Sequence, residues 1–383
     1  GLGGELVRAI HHHHQYHHHR HHHHHYFDRY HHHHYFDRYR HHHYFDRYRH
    51  HHYFDRHRHH DKKIGDSSEP YYWTITVDPS GQGNFSKIQS AIDSVPSNNN
   101  YWVSILVKAG TYREKLKIPY DKPCIILKGE GKKNTFVVWD DHDSIAQSPT
   151  FSSMANNVVV KSISFVVRNI LLRFRINTNS YNIPTNSNPM GPAVAAIISG
   201  DKAYFHRVGF FGLQDTLWDD QGRHYYKSCT IQGAMDFIFG TGQSLYEGCT
   251  ISVIDAALGP GIRGFITAQG RSNANDTNGF VFKNCNIVGN GTTYLGRPWR
   301  GYARVVFYET KMSSIIEPLG WEPWNFAGHE DRITFAEYGN SGAGSNTSNR
   351  VSWIKKLDSS SANAMASTSF IDTDGWVKIQ QQL

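Results

Sequence analysis

Four segments of this 383-residue chain can be laid over one another: AYFHRVGFFG from Ala203, HYYKSCTIQG from His224, SLYEGCTISV from Ser244 and FVFKNCNIVG from Phe280. NVVVKSISFV from Asn157 is a looser, earlier copy. Each copy alternates apolar and polar residues, takes a two-residue polar step, then resumes the alternation. The shared position falls at Val208, Cys229, Cys249 and Cys285, spaced 21, 20 and 36 residues. A period near 20 built from short strands is the signature of a solenoid, and the scarcity of helical pattern between the strands favours a parallel β-helix over a leucine-rich horseshoe. The 36-residue gap fits one coil with a long loop, for which GPGIRG (from Gly259) and RSNANDTNG (from Arg271) supply turn chemistry. The crossover rule makes the coil right-handed. One helical stretch, FSKIQSAIDSV, stands near the start, where it can cap the open end and protect the edge strand.

The repeats begin only after a different kind of sequence. Twenty-five of the 29 histidines precede residue 62, in a tract where YFDR recurs from Tyr26, Tyr35, Tyr44 and Tyr53. Such a tract has no apolar face to bury, so residues 1–65 read as a low-complexity, disordered head and residues 66–383 as the β-helical domain. Adventitious metal binding by the clustered imidazoles is the alternative for the head. Of the net charge of +7, the first 61 residues carry nine Arg against six acids, leaving 31 basic and 27 acidic residues elsewhere. The body is only mildly basic, which suits either a solvated surface or a loosely held acidic polymer. No run of about eighteen apolar residues exists, and GLGGELVRAI lacks the build of a secretory signal. The four cysteines form no CxxC pair, which argues against a zinc site.

The repeat gives meaning to two acids. Asp215 lies seven residues after Val208, and Asp236 seven after Cys229, so both occupy the same phase of consecutive coils. Neighbouring strands sit about 4.8 Å apart, which stacks the two carboxylates on one face. Two like charges that close do not both ionise cheaply: one keeps its proton while the other stays a carboxylate, the division of labour of an acid paired with a nucleophile or base. The alternative is that both cap turns, but the flanks LQDTLW and MDFIFG are unusually apolar for turns. Asp219 and Asp220, directly after Trp218, read instead as solvated turn acids.

At this point GTYREK (from Gly110), SPTF (from Ser148), QDTL (from Gln214), DFIFG (from Asp236), TAQGR (from Thr267), LGRPW (from Leu295) and GWEPW (from Gly320) can be taken together. Residues 70–383 resemble the plant pectin methylesterase (pectinesterase) family. The resemblance implies a metal-free cell-wall esterase that removes methyl groups from methyl-esterified homogalacturonan. Carried onto matching positions, Asp236 is the nucleophile on the C6 ester carbonyl. Asp215 protonates the departing methanol and then activates water; Gln214 donates to the oxyanion. Arg297 holds Asp236 ionised and oriented, and Trp299 stacks on a galacturonate ring. The chemistry of these residue types agrees: a weak carboxylate nucleophile needs a cation to fix it and an acid to assist the leaving group, and an amide donates without titrating. A packing role for Trp299 and a structural ion pair for Arg297 are the alternatives. No metal or other cofactor is expected. The expected partner is pectin, with a proteinaceous pectinesterase inhibitor as a further candidate; no nucleic acid or membrane partner is expected, and the chain is expected to be a monomer.

Three departures from the family pattern stand out. Pro192, in MGPAVAA, replaces the glutamine of a QAVA segment that would be a second oxyanion donor. NILLRFRI, within residues 168–176, interrupts the coil before the site, as a surface insertion or a misread exon boundary. The head stands where the family has a signal peptide and often a pro-region, so localisation to the wall rests on the resemblance, supported by sequons at Asn84, Asn275, Asn290 and Asn346. Cys249 and Cys285 resemble a family disulfide pair, with buried free thiols as the other reading. The favoured function is pectin demethylation. A pectin-binding β-helix disabled by Pro192, and a polygalacturonan lyase or glycosidase on the same scaffold, are the competitors.

Overall fold

The computed structural model describes residues 72–167 and 191–383. The low-complexity head and the 168–176 insertion both lie outside the described residues. Strands stack into three parallel sheets of ten, eight and seven strands, the central coils contributing to all three in turn and the terminal ones to fewer. This is the parallel β-helix expected from the repeat.

Each repeat copy supplies one strand to the ten-stranded sheet and one to the eight-stranded sheet, as in Ala203–His206 with Gly209–Phe211, and Arg223–Lys227 with Thr230–Gly233. The polar step between them is a corner. Its second residue takes a left-handed backbone in every copy, with φ of 54° at Arg207, 54° at Ser228, 62° at Gly248 and 50° at Asn284. A single αL residue turns the chain without a loop, so the following side chain points inward at once. That side chain is the shared repeat position, and Val208, Cys229, Cys249 and Cys285 are all buried. The three thiols are free and each donates to a carbonyl one coil back: Cys229 to Phe205, Cys249 to Tyr226 and Cys285 to Tyr246. Of the two readings of Cys249 and Cys285, the structure has the free thiols.

Because the coils are in register, like stacks on like. Phe205, Tyr226, Tyr246, Phe282 and Phe307 form an interior ladder with ring centroids 4.9, 4.4, 4.5 and 4.6 Å apart. That spacing is the inter-strand distance itself, which lets each ring stack on the next at no cost in backbone geometry. Truncating a central rung such as Phe282 to Ala would cost about 3–5 kcal/mol. The helix Ile88–Ser94 buries Ile88, Ala91 and Ile92 against the strands Tyr72–Val77, Trp102–Val107 and Leu116–Ile118, covering the first coil as the sequence suggests. Near the C-terminus, helices Ser359–Met365 and Trp376–Gln381 cover the outer face of the ten-stranded sheet, where Ala362, Ala366, Trp376 and Val377 pack on Tyr204, Tyr225, Leu245 and Val281. The seven-stranded sheet keeps its outer face for the site. Among the described residues, no helix is long and apolar enough to cross a membrane.

Candidate active site

Asp215 precedes the strand Leu217–Asp219 and Asp236 lies in the next strand of the seven-stranded sheet, Met235–Gly240. Gln214 bridges Met235 in parallel, and the Asp215 N–H donates to the Met235 carbonyl at 3.0 Å, so the two acids stand in the same column of adjacent coils. Both adopt φ values that L-residues seldom take, 60° and 47°. At Asp236 the cause is a bulge: Asp236 and Phe237 fall between the paired positions Met235 and Ile238, where the next strand has only Ile266. Bulges re-aim side chains, and Asp tolerates αL better than a branched residue does. Here the bulge lies at the acid that the family resemblance marks as nucleophile.

Electrostatics separates the pair. Burial pushes the Asp215 carboxyl well above the usual range, and the neighbouring Asp236 charge raises it further against the opposing pull of Arg297. Asp236, 8% exposed, is instead gripped by Arg297, whose Nε and Nη2 reach its two oxygens at 2.8 and 2.6 Å. A bidentate, charge-assisted pair of this kind fits a carboxylate. The Gln214 side chain, 8% exposed, stands one residue from Asp215. The Ala193 N–H donates to the Gln214 carbonyl at 3.2 Å, repeating the Asp215 rung one coil earlier. Pro192, Gln214 and Met235 therefore form one column, and the position opposite Gln214 carries no side-chain donor.

Beside the acids runs an apolar strip. Ile197, Trp218, Phe239 and Ala268 are register partners on the outer face, with Trp218 and Phe239 stacked at 5.5 Å. Ile145, Ala146, Met154, Trp299 and Trp324 pack against this cluster. Trp299, half-buried, meets Phe239 edge-on at 5.7 Å, while the Arg300 guanidinium lies 4.2 Å from its ring. Trp218 and Phe239, 3% and 4% exposed, form a buried aromatic floor beside the acids that sequence reasoning did not assign to the site, although Phe239 sits inside DFIFG and Trp218 directly follows QDTL. Two more residues went unassigned: Phe265 and Trp324 lie against Arg297, and only Trp324 had a signal, its place in GWEPW.

One expectation is corrected. Asp219 and Asp220 are not solvated turn acids: they are 0% and 3% exposed. Alternation along Leu217–Asp219 sends Trp218 outward and Asp219 inward, where its oxygens meet His224 Nδ1 at 2.5 Å and the Tyr246 hydroxyl at 2.6 Å. His224 Nε2 contacts the Gly200 carbonyl at 2.8 Å. Burial alone would lower the imidazole, but the Asp219 charge and hydrogen bond, with the Gly200 carbonyl, leave it raised. Asp220 accepts from the Ser199 hydroxyl and burial pushes it to about 6. Among the described residues, no group of three or more His, Cys, Asp or Glu side chains could hold a metal ion.

The pectinesterase family profile matches residues 74–374. The chain belongs to the pectinesterase family. Among its relatives, "Probable pectinesterase 29" of Arabidopsis thaliana is 56% identical over 312 residues, covering 80% of this chain and 90% of the relative. "Probable pectinesterase 55" of the same plant is 55% identical over 308 residues, covering 79% and 90%. Among solved structures, the pectin methylesterase from carrot superposes with a TM-score of 0.72 at 28% identity, covering 83% of this chain and 98% of that one. The site thus lies in a pectinesterase-family esterase.

Proposed function

We propose that this pectinesterase hydrolyses the C6 methyl esters of homogalacturonan through an aspartyl acyl-enzyme built on Asp236. The observation that carries the reading is the pairing of a carboxyl group clamped by Arg297 with a second acid one coil away, Asp215, whose carboxyl burial and the neighbouring Asp236 push well above the usual range. The Asp236 carboxylate attacks the ester carbonyl, and the Gln214 amide donates to the developing oxyanion. As the tetrahedral species collapses, Asp215 gives its proton to the methoxy oxygen and methanol leaves. The resulting Asp215 carboxylate takes a proton from water, whose oxygen attacks the acyl carbon; Asp236 departs as a carboxylate and Asp215 is again protonated. No net proton or electron is left over within the site. Trp299, half-buried and packed on the apolar strip, offers an aromatic face to a sugar ring.

The working unit is the 66–383 domain, acting as a monomer on pectin in the cell wall, where a proteinaceous inhibitor of such esterases is a further partner. Sequon residues Asn84, Asn275, Asn290 and Asn346 are all exposed, which supports passage through a secretory route. Methanol release from methylated pectin tests the reading. The wild-type chain should release methanol without new reducing ends, and Asp236→Asn should lose that release by a factor of 10³ or more, on the order seen when a nucleophile is removed. Release undiminished in Asp236→Asn would refute the acyl-enzyme, and chain shortening would point to a lyase or glycosidase.

A further inference from the structure

Asp236 and Arg297 are not on neighbouring strands. Asp236 lies in Met235–Gly240 and Arg297 in Thr293–Pro298, with Gly264–Gln269 running between them. The arginine must reach back over an entire strand, roughly 10 Å across the sheet, to make its bidentate contact. A side chain with that span has many rotamers and would lose the geometry unless something held it.

Phe265, on the intervening strand, is what it lies upon. The Arg297 Cζ stands 4.1 Å from the Phe265 ring centroid, and the Trp324 ring closes on it from 3.7 Å. Phe265 is 1% exposed, pairs in register with Met235 on one side and Tyr294 on the other, and stacks on Tyr294 at 5.0 Å with planes 9° apart. Met235 adds its sulfur 3.7 Å from Arg297 Nη2. Aromatic faces attract a guanidinium without competing for its in-plane N–H donors. The donors Nε and Nη2 are therefore left to Asp236, and the plane of the guanidinium fixes the plane of the carboxylate.

We propose that Phe265 and Trp324 are positioning residues: an aromatic clamp that orients the Asp236 carboxylate by holding Arg297 flat across the intervening strand. The inference rests on the reading of Asp236 as the nucleophile. Phe265, buried beneath the guanidinium, acts only through it, whereas Trp324 also borders the apolar strip.

The test is a double-mutant cycle on methanol release, using the full chain, with Phe265→Leu and Arg297→Lys alone and together. Phe265→Leu keeps an apolar side chain but removes the aromatic face. The clamp predicts a kcat fall of about 10- to 100-fold with KM within about twofold, since small misplacements of a reacting group cost that much. It predicts rescue by Phe265→Tyr, a residue that already fills the equivalent place one coil on. In the Arg297→Lys background Phe265→Leu should cost little more, because the group it positions is gone. Trp324→Leu, read by kcat in the same cycle, gives the result if Phe265→Leu does not fold. Equal costs in both backgrounds, or an unchanged kcat in Phe265→Leu, would overturn the clamp. Asp236→Asn is run alongside: if it keeps activity the nucleophile assignment fails, whereas an inactive Asp236→Asn beside a fully active Phe265→Leu refutes the clamp alone.

Discussion

Asp255 is buried with half its carboxyl unsatisfied, and replacing it by asparagine should make the protein more stable at neutral and alkaline pH. The residue opens the 3₁₀ turn Asp255–Leu258, is 1% exposed, and accepts from the Gly264 N–H through Oδ2 at 2.9 Å. Its Oδ1 has no hydrogen-bond partner among the described residues. Around it lie Ile254, Ala257, Leu258 and Ile262, an apolar cluster that also holds Met235, the neighbour of Asp236. Burial pushes the carboxyl from 3.8 up to about 8, opposed only by the Gly264 N–H.

The sign follows from linkage. Between these two values the folded chain keeps a proton that the unfolded chain has released, so the stability this group supplies is full below the unfolded value and is lost as pH rises through the folded one. The slope is about 1.4 kcal/mol per pH unit, which over four units sets a ceiling on the order of 5 kcal/mol, to be reduced by any local relaxation of the turn. Asp255→Asn retains an acceptor for Gly264 and cannot ionise. At about 2 °C per kcal/mol for a chain of this size class, the wild-type melting temperature should fall by several degrees between pH 5 and pH 8 relative to the variant. Thermal unfolding of both proteins at pH 5, 6.5 and 8, at one scan rate, measures this. If the two curves stay parallel across that range, Asp255 is ionised in the folded state and the reasoning fails.

Three further outcomes are expected. Because Asp215 must carry a proton when methanol leaves and its carboxyl is raised, kcat should fall as pH climbs through that raised value; an activity flat from pH 4 to 9 would remove Asp215 from the acid role. Pro192→Gln restores an amide in the Gln214 column and should raise kcat by up to about 10²-fold if oxyanion stabilisation limits the rate, which steady-state methanol release would register; no gain would mean that Gln214 alone suffices. His224→Gln leaves the buried Asp219 charge without its cationic partner and should destabilise the fold by about 3–5 kcal/mol, seen as a lowered denaturant midpoint at pH 6. The raised imidazole gives its stabilisation below its unfolded value and loses it as pH rises through the folded one, so this penalty should shrink in alkali.

The architecture could be read from the sequence because it repeats at short range. The two-residue polar step is visible as letters, and it turns out to be an αL corner, the one conformational event that forces the next residue inward. Everything downstream, including the stacked acids, follows from counting residues from that corner. Asp219 escaped the same count because it follows Asp215 by only four residues, across the irregular stretch where Gln214 and Asp215 themselves turn. Alternation resumes only at Leu217, so which of Trp218, Asp219 and Asp220 points inward depends on a corner the letters do not mark.

The bulge at Asp236 was equally invisible, and so was Phe265. A contact between Arg297 and Asp236 could be expected from the resemblance, but not that a strand intervenes between them. Once a strand intervenes, the middle residue must be something a cation can lie upon. A lysine or glutamate there would repel or recruit the guanidinium, and a small residue would leave it to solvent. An aromatic ring is the choice that attracts the charge while leaving its hydrogen bonds free for the carboxylate. The identity of residue 265 is thus set by the distance between two residues it is not adjacent to in sequence, which a pattern along one strand does not encode.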